Sequence, residues 1–309
     1  MGCWNLWRLQ KTAETLADLE YLYMLMTVMN KHKHSSKPGK PRNKARNFKA
    51  AKGQPKSPGK HGQKRSGSVS DQSSNAPYWI FGTHAALAAT ANPARPCLRI
   101  ILTASASPDL ETDVRKARQT VSGRPEIERL ERTEIEALLS PGAVHQGLAV
   151  LAGPLVEIGI EEIVYESEDK GEATIIILDQ ATDPRNIGAV MRSAAAFGAL
   201  AVVVQDRHAP QITGTLCKAA SGAVERVPLV RAVNLARAIG VFKKAGFWAA
   251  GLDPQAGQAL AQADLSGRVA LVLGAEGRGL RRLTSDTCDQ LVKVPIIKST
   301  DSLNLSNAA

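Results

Sequence analysis

The 309-residue chain carries 39 Lys and Arg against 29 Asp and Glu, a formal net charge of +10, with 44% hydrophobic and 4% aromatic residues. That length supports one or two domains with real cores, and the aliphatic, aromatic-poor composition suits helices layered on sheets. Cys3, Cys97, Cys217 and Cys288 form no Cys-x-x-Cys and the histidines show no metal-ligand spacing, so no metal site and no disulfide framework is expected, which fits a reducing cytoplasm.

Residues 1–77 hold fifteen Lys and Arg against four Asp and Glu, so the tail is +11 and the remaining 232 residues are −1. Within it, the apolar run Tyr21–Met29 follows Glu14, Asp18 and Glu20 and precedes no small-residue cleavage site, which fits a secretory signal poorly. Met29 is an alternative translation start. From Asn30 to Ala76 there is too little apolar surface to offset ordering entropy, so a disordered basic tail is expected. Two readings of it stay open, an arm that attracts RNA and a solvated tail. No run of 18 apolar residues occurs, so no transmembrane helix is expected.

Order is expected from Tyr78. Residues 78–153 read as a small α/β domain: helix 85–91, strand 98–103, helix 110–121, strand 126–130, helix 134–139 and strand 146–152, with Thr133 and Glu136 spaced as a capping box. His84 and His145 read first as capping or packing residues. The acidic stretch 154–172 reads as an irregular linker. Residues 173–309 then alternate strand and helix: strands at 174–178, 201–204, 226–229, 247–251, 269–273 and 291–294; helices at 187–197, 213–221, 232–245 and 280–286. Continuous apolar runs without alternation indicate strands buried on both faces, hence a parallel sheet flanked by helices. Such a sheet binds ligands beyond the carboxyl ends of its strands.

Three motifs fall at those ends: Asn186-Ile-Gly-Ala-Val-Met-Arg192, Leu273-Gly-Ala-Glu-Gly-Arg-Gly279 and Val294-Pro-Ile-Ile-Lys-Ser-Thr-Asp-Ser302-Leu-Asn304-Leu-Ser306. In the first, Asp183 or Asn186 caps a helix whose small residues Gly188, Ala189, Ser193, Ala194, Ala195 and Ala196 permit close approach of another backbone or subunit. In the second, glycines let backbone approach a ligand, and a helix opening at Leu280 is expected to offer free amides to it. Its glycine order differs from the Gly-x-Gly-x-x-Gly of dinucleotide sites, and no Gly-Lys-Ser/Thr follows as in a P-loop. In the third, Ser302, Asn304 and Ser306 alternate with leucines, so the polar groups converge while the leucines pack.

In order and spacing the three motifs resemble those of the SpoU (TrmH-type) branch of the SPOUT RNA methyltransferases, and Gly82-Thr-His84 with Val144-His-Gln-Gly-Leu148 are similar to the ends of the L30e-like domain that precedes many of them. The resemblance implies a C-terminal sheet tied into a trefoil knot, a fold that periodicity cannot supply. It implies S-adenosyl-L-methionine as cofactor, bound by Gly274, Val294, Ile296 and Leu303. It also implies a catalytic set of Arg192, Glu276, Asn186, Ser302 and Asn304 that methylates a ribose 2'-hydroxyl of RNA. A guanidinium surrenders its proton with difficulty, so Arg192 is read as stabilising developing alkoxide charge, held by Glu276, rather than as a base.

The two-domain layout favours a guanosine of 23S rRNA over tRNA, and the family implies a homodimer with a shared site. The chain stops at Ala309 as Ser306-Asn-Ala-Ala begins what the resemblance implies is a final helix, so a shortened, inactive RNA-binding relative remains an alternative. A nucleotide-dependent oxidoreductase is the third reading, disfavoured by the glycine order.

Overall fold

The computed structural model describes residues 76–207, 209–275, 279–296 and 303–309. The expectations for the basic tail and Met29 lie outside them.

The first sheet has the order β1-β4-β2-β3. Its strands are β1 (Tyr78–Phe81), β2 (Cys97–Thr103), β3 (Ile127–Leu130) and β4 (Leu148–Ala152), with helices α1 (Thr83–Ala91), α2 (Pro108–Gln119) and α3 (Arg132–Leu138). β4 is antiparallel to both β1 and β2, and β2 is parallel to β3. Local chemistry explains α2: the Ser107 hydroxyl accepts from Leu110 N, Pro108 opens the helix, and acidic residues start it while Lys116 and Arg118 end it.

The second sheet is parallel throughout, in the order β7-β6-β5-β10-β8-β11-β9. In chain order it contains α4 (Ile160–Ser167), β5 (Ala173–Leu178), α5 (Pro184–Ala196), β6 (Ala201–Gln205), α6 (Gly214–Ala220), a 3-10 turn (Ala223–Glu225) and β7 (Leu229–Ala232). There follow α7 (Leu235–Lys244), β8 (Trp248–Leu252), β9 (Gln258–Ala259), β10 (Arg268–Leu273), α8 (Arg282–Thr287), β11 (Gln290–Lys293) and α9 (Leu305–Ala308).

Strand alternation assigns the layers. Ile175 and Ile177 of β5 face a cluster with Ile163 of α4 and Leu235, Ala238, Ile239 and Phe242 of α7, residues at helical spacing. Ile176 and Leu178 face the opposite cluster, with Val190 and Met191 of α5 and Leu216 of α6. That second cluster also holds Ile80, Leu102 and Val150 from the small sheet, so one core spans both sheets. Each large aliphatic side chain buried there contributes about 1.5–3 kcal/mol.

Several elements depart from the sequence reading. The stretch read as an irregular linker carries α4, whose Ile163 is fully buried, because Ile160, Ile163 and Val164 recur at helical spacing among the acidic residues. The box at α3 is formed two residues earlier than Thr133 and Glu136: the Glu134 carboxylate accepts from Glu131 N at 2.8 Å, and Glu136 pairs with Arg132. β7 begins at Leu229 rather than 226, since the 3-10 turn captures Val227 N through Ala223 O. β4 starts at Leu148 because Gln146 takes φ 55° in a turn closed by His145.

His145 itself is buried, its Nδ1 accepting from Gly147 N at 3.1 Å while Nε2 lies 4.0 Å from Glu136. Burial, then the charges of Arg132 and Lys218, lower its pKa below the usual imidazole value against the opposing pull of Glu136. The folded state therefore prefers neutral His145. The sign follows: this contribution is complete above the unfolded value near 6.5 and is lost as pH falls toward the lowered folded value. Calorimetric melting between pH 7.5 and 5 is expected to show a falling midpoint that His145→Asn flattens. Equal slopes for both proteins would refute this account.

Candidate active site

The three motifs gather at the carboxyl ends of β5, β10 and β11. β5 extends its ladder one residue beyond Leu178, with Asp179 N donating to Leu273 O at 2.8 Å. Asp183 then caps α5, its Oδ1 accepting from Arg185 N at 2.8 Å, with Pro184 opening the helix. The cap is thus Asp183, and Asn186 in the first turn faces elsewhere. Its Oδ1 accepts from Asn304 Nδ2 at 3.3 Å, so the first and third motifs meet. Asn304 also caps α9 through Ser306 N at 2.9 Å, and Leu305 is buried in the cluster that holds Ile187 and Leu273.

The glycine turn is closed on itself. Gly279 N donates to Ala275 O at 3.0 Å, and Gly279 takes φ +66°. A Cβ on Gly274 would lie 2.1 Å from the Gly279 carbonyl carbon and 2.4 Å from Leu280 N. Glycine at 274 is required by contact, not by its own φ. The helix after the turn begins two residues later than the sequence reading placed it. α8 starts only at Arg282, and the preceding Arg281 N is already bonded to Asp179 Oδ2 at 3.0 Å.

That bond belongs to a pair the sequence reading missed. Asp179 is fully buried, and Arg281 reaches it with Nε at 2.8 Å and Nη2 at 2.7 Å. Charge-assisted bonds of this kind tie the far side of the glycine turn to the end of β5. The signal was a lone carboxylate ending the aliphatic run Ile175–Leu178. Asp179→Asn keeps the shape and removes the charge, and is expected to destabilise the fold by about 1.5–3 kcal/mol. Denaturant titration checks this; a change under about 0.5 kcal/mol would make the pair incidental.

Arg192 is exposed on α5, six residues or about 9 Å along the helix from Asn186 and roughly 120° away around its axis. Among the described residues it has no hydrogen bond or ion pair, and the helix does not bring it onto the Asn186–Asn304 contact. Val294 continues β11 half-buried, Ile296 is exposed, and Leu303 is half-buried beside Asn304. Glu276 and Ser302 lie outside the described residues. At the same sheet end Arg231 Nη2 donates to Pro210 O at 2.7 Å, anchoring the loop after β6. The backbone of Gly279 and Leu280 fills the space beside Gly274, and Val294, Ile296 and Leu303 carry apolar side chains, a chemistry that suits a nucleoside better than a bare phosphate.

Residues 173–309 match the SpoU rRNA Methylase family. Over 233 residues the chain is 37% identical to the 23S rRNA (guanosine-2'-O-)-methyltransferase RlmB of Pseudomonas putida, covering 74% of this chain and 91% of that protein. It is 36% identical over 243 residues to an uncharacterized tRNA/rRNA methyltransferase of Synechocystis, covering 78% of this chain but only 62% of that protein. Its fold is similar to the crystal structure of the SpoU methyltransferase AviRb from Streptomyces viridochromogenes in complex with AdoMet, with a TM-score of 0.61, 19% identity, and coverage of 75% and 86% of the two chains. With the motifs assembled at the strand ends and this likeness extending through both sheets, the chain belongs to the SpoU rRNA methylase family.

Proposed function

We propose that the chain transfers a methyl group from S-adenosyl-L-methionine to a ribose 2'-hydroxyl of RNA, at a guanosine of 23S rRNA. The observation that carries this is the Asn186–Asn304 contact beside the closed turn at Gly274, in a member of this family. Similarity to a 23S rRNA enzyme across both sheets supports rRNA over tRNA.

Gly274, Val294, Ile296 and Leu303 would hold the cofactor, which when bound supplies an electrophilic methyl group on a sulfonium. Asn186, Ser302 and Asn304 orient the ribose with amide and hydroxyl groups. Arg192 stabilises negative charge developing on the 2'-oxygen as the hydroxyl proton passes to water, and Glu276 holds Arg192. Positioning and charge stabilisation supply the acceleration. Because Arg192 projects away from the Asn186–Asn304 pair, it serves the cofactor of a second copy in a homodimer.

The domain reading is a small L30e-like RNA-binding domain at 78–153, a connecting segment at 154–172 that carries α4, and a methyltransferase domain at 173–309. A trefoil knot in the latter is supported by β10 entering between β5 and β8, with β11 beyond β8. The basic tail adds long-range attraction to RNA. No described helix is long and apolar enough to cross a membrane, and the proposed place of action is the cytoplasm.

Calorimetric titration with S-adenosylmethionine and its demethylated product, with tritiated-methyl incorporation into unmodified 23S rRNA and tRNA transcripts, tests the reading. Binding with labelling of the rRNA supports it. Labelling of tRNA alone would move the substrate, and salt-dependent RNA affinity without cofactor binding would end it.

A further inference from the structure

α6 lies between the small sheet and α5, and on both sides its contacts are too close for an ordinary side chain. Toward α5, a Cβ on Gly188 would meet Leu216 O at 2.6 Å and Ala219 Cβ at 2.7 Å. Toward the small sheet, a Cβ on Gly214 would stand 2.3 Å from Trp79 O, and one on Gly222 2.7 Å from Ala88 Cβ. Lys218 of α6 donates to Val144 O and lies 5.9 Å from the Phe81 ring.

Beside this seam the Arg95 guanidinium is wholly buried, and each of its three nitrogens donates. Nε and Nη2 donate to the Glu225 carboxylate at 3.1 and 2.7 Å, and Nη1 donates to the Tyr78 hydroxyl at 2.7 Å and Gly153 O at 3.0 Å. Asn92 Nδ2 donates to Glu225 Oε2 at 2.7 Å. Glu225, from the 3-10 turn after α6, is therefore gripped by Asn92 and Arg95 of the α1–β2 connection, and Arg95 is in turn held by Tyr78 of β1 and by Gly153 just past β4. Burial raises the Tyr78 hydroxyl and pushes the Cys217 thiol up to about 12, so neither adds a charge at neutral pH.

A buried ion pair is seldom more stabilising than an apolar pair of equal volume, so what it contributes here is direction. An apolar patch tolerates sliding; a planar fork on a carboxylate fixes both distance and angle. We propose that Arg95 and Glu225 are positioning residues that lock the small sheet through α6 to α5, so that RNA held on the small sheet meets the methyl-transfer residues at one set distance and angle. The substrate class this selects is a folded RNA whose recognised element and target ribose are rigidly separated. Only the activity arm of the following test rests on the methylation reading.

Arg95→Met alone would strand a buried carboxylate, so the informative variant is Arg95→Met with Glu225→Leu, which keeps the packing and removes the fork. Cofactor stoichiometry and the Kd for an unmodified 23S rRNA transcript are expected within about threefold of the parent. kcat for methyl incorporation is expected to fall at least about tenfold, as misplacement by an ångström does. Unchanged kcat overturns the proposal, and so does a loss of cofactor stoichiometry equal to the loss of kcat. Tyr78→Phe, removing only the hydroxyl beside Nη1, is a milder probe expected to lower kcat about twofold with stoichiometry intact.

Hydrogen exchange reads the lock without activity. In the parent, α1 and residues 223–225 should open together, and in the double variant separately; identical exchange in both overturns the proposal. A parent that neither binds cofactor nor methylates RNA would sink the methylation reading, and the exchange result would still decide the coupling.

Discussion

Gly274→Ala is expected to weaken S-adenosylmethionine binding by at least about 100-fold, or about 2.8 kcal/mol. The added methyl group would stand 2.1 Å from backbone, the Gly279 carbonyl carbon, and no flexible side chain can yield to it. The turn cannot slide away whole, because Arg281, two residues beyond Gly279, is held on the buried Asp179 by three contacts. It must open instead, spoiling the surface proposed to receive the cofactor. Overpacking confined to one turn costs about 1–3 kcal/mol, so the fold should survive. Calorimetric titration of the folded variant decides it. Parental affinity would mean that this turn is not the cofactor cradle.

Arg192→Ala should lower kcat by about 100- to 1000-fold, the loss typical of removing one preorganised donor from a developing oxyanion. The exposed side chain has no bonded partner among the described residues, so stability should change by no more than about 0.5 kcal/mol. Cofactor affinity should stay put. Arg192→Lys keeps the charge without the planar fork and should recover only part of the rate; full turnover would refute the role given to the guanidinium. Mixing inactive Arg192→Ala and Asn304→Ala chains tests whether the arginine acts across a dimer. Activity should reappear in the mixture, and its absence would place both groups in one chain's site.

The parallel architecture was legible because the strands are unbroken aliphatic runs, and their carboxyl ends marked where the motifs would collect. Asn186 and Asn304, 118 residues apart, are indeed in contact. What stayed hidden has a common cause. Asp179 with Arg281 and Arg95 with Glu225 are partners 102 and 130 positions apart, and neither pair has a local pattern that distinguishes it from surface charge. α4 was obscured by its acidic residues, although its apolar positions follow a helical period. The late start of α8 could not be seen because the amide just before it, Arg281 N, is claimed by Asp179, 102 positions earlier.

The interior position of β5, between β6 and β10, has a consequence for synthesis. Its partner on one side, β6, follows within about thirty residues, but on the other Ala173 must wait for Arg268, 95 positions later. At roughly 5–20 residues per second, that edge stays unpaired for several seconds or more on the translating ribosome. Its aliphatic residues are then a template for misassociation with neighbouring nascent chains. Dependence on a chaperone during translation should therefore be set by the interval between β5 and β10, and lengthening the β8–β10 connection would increase it.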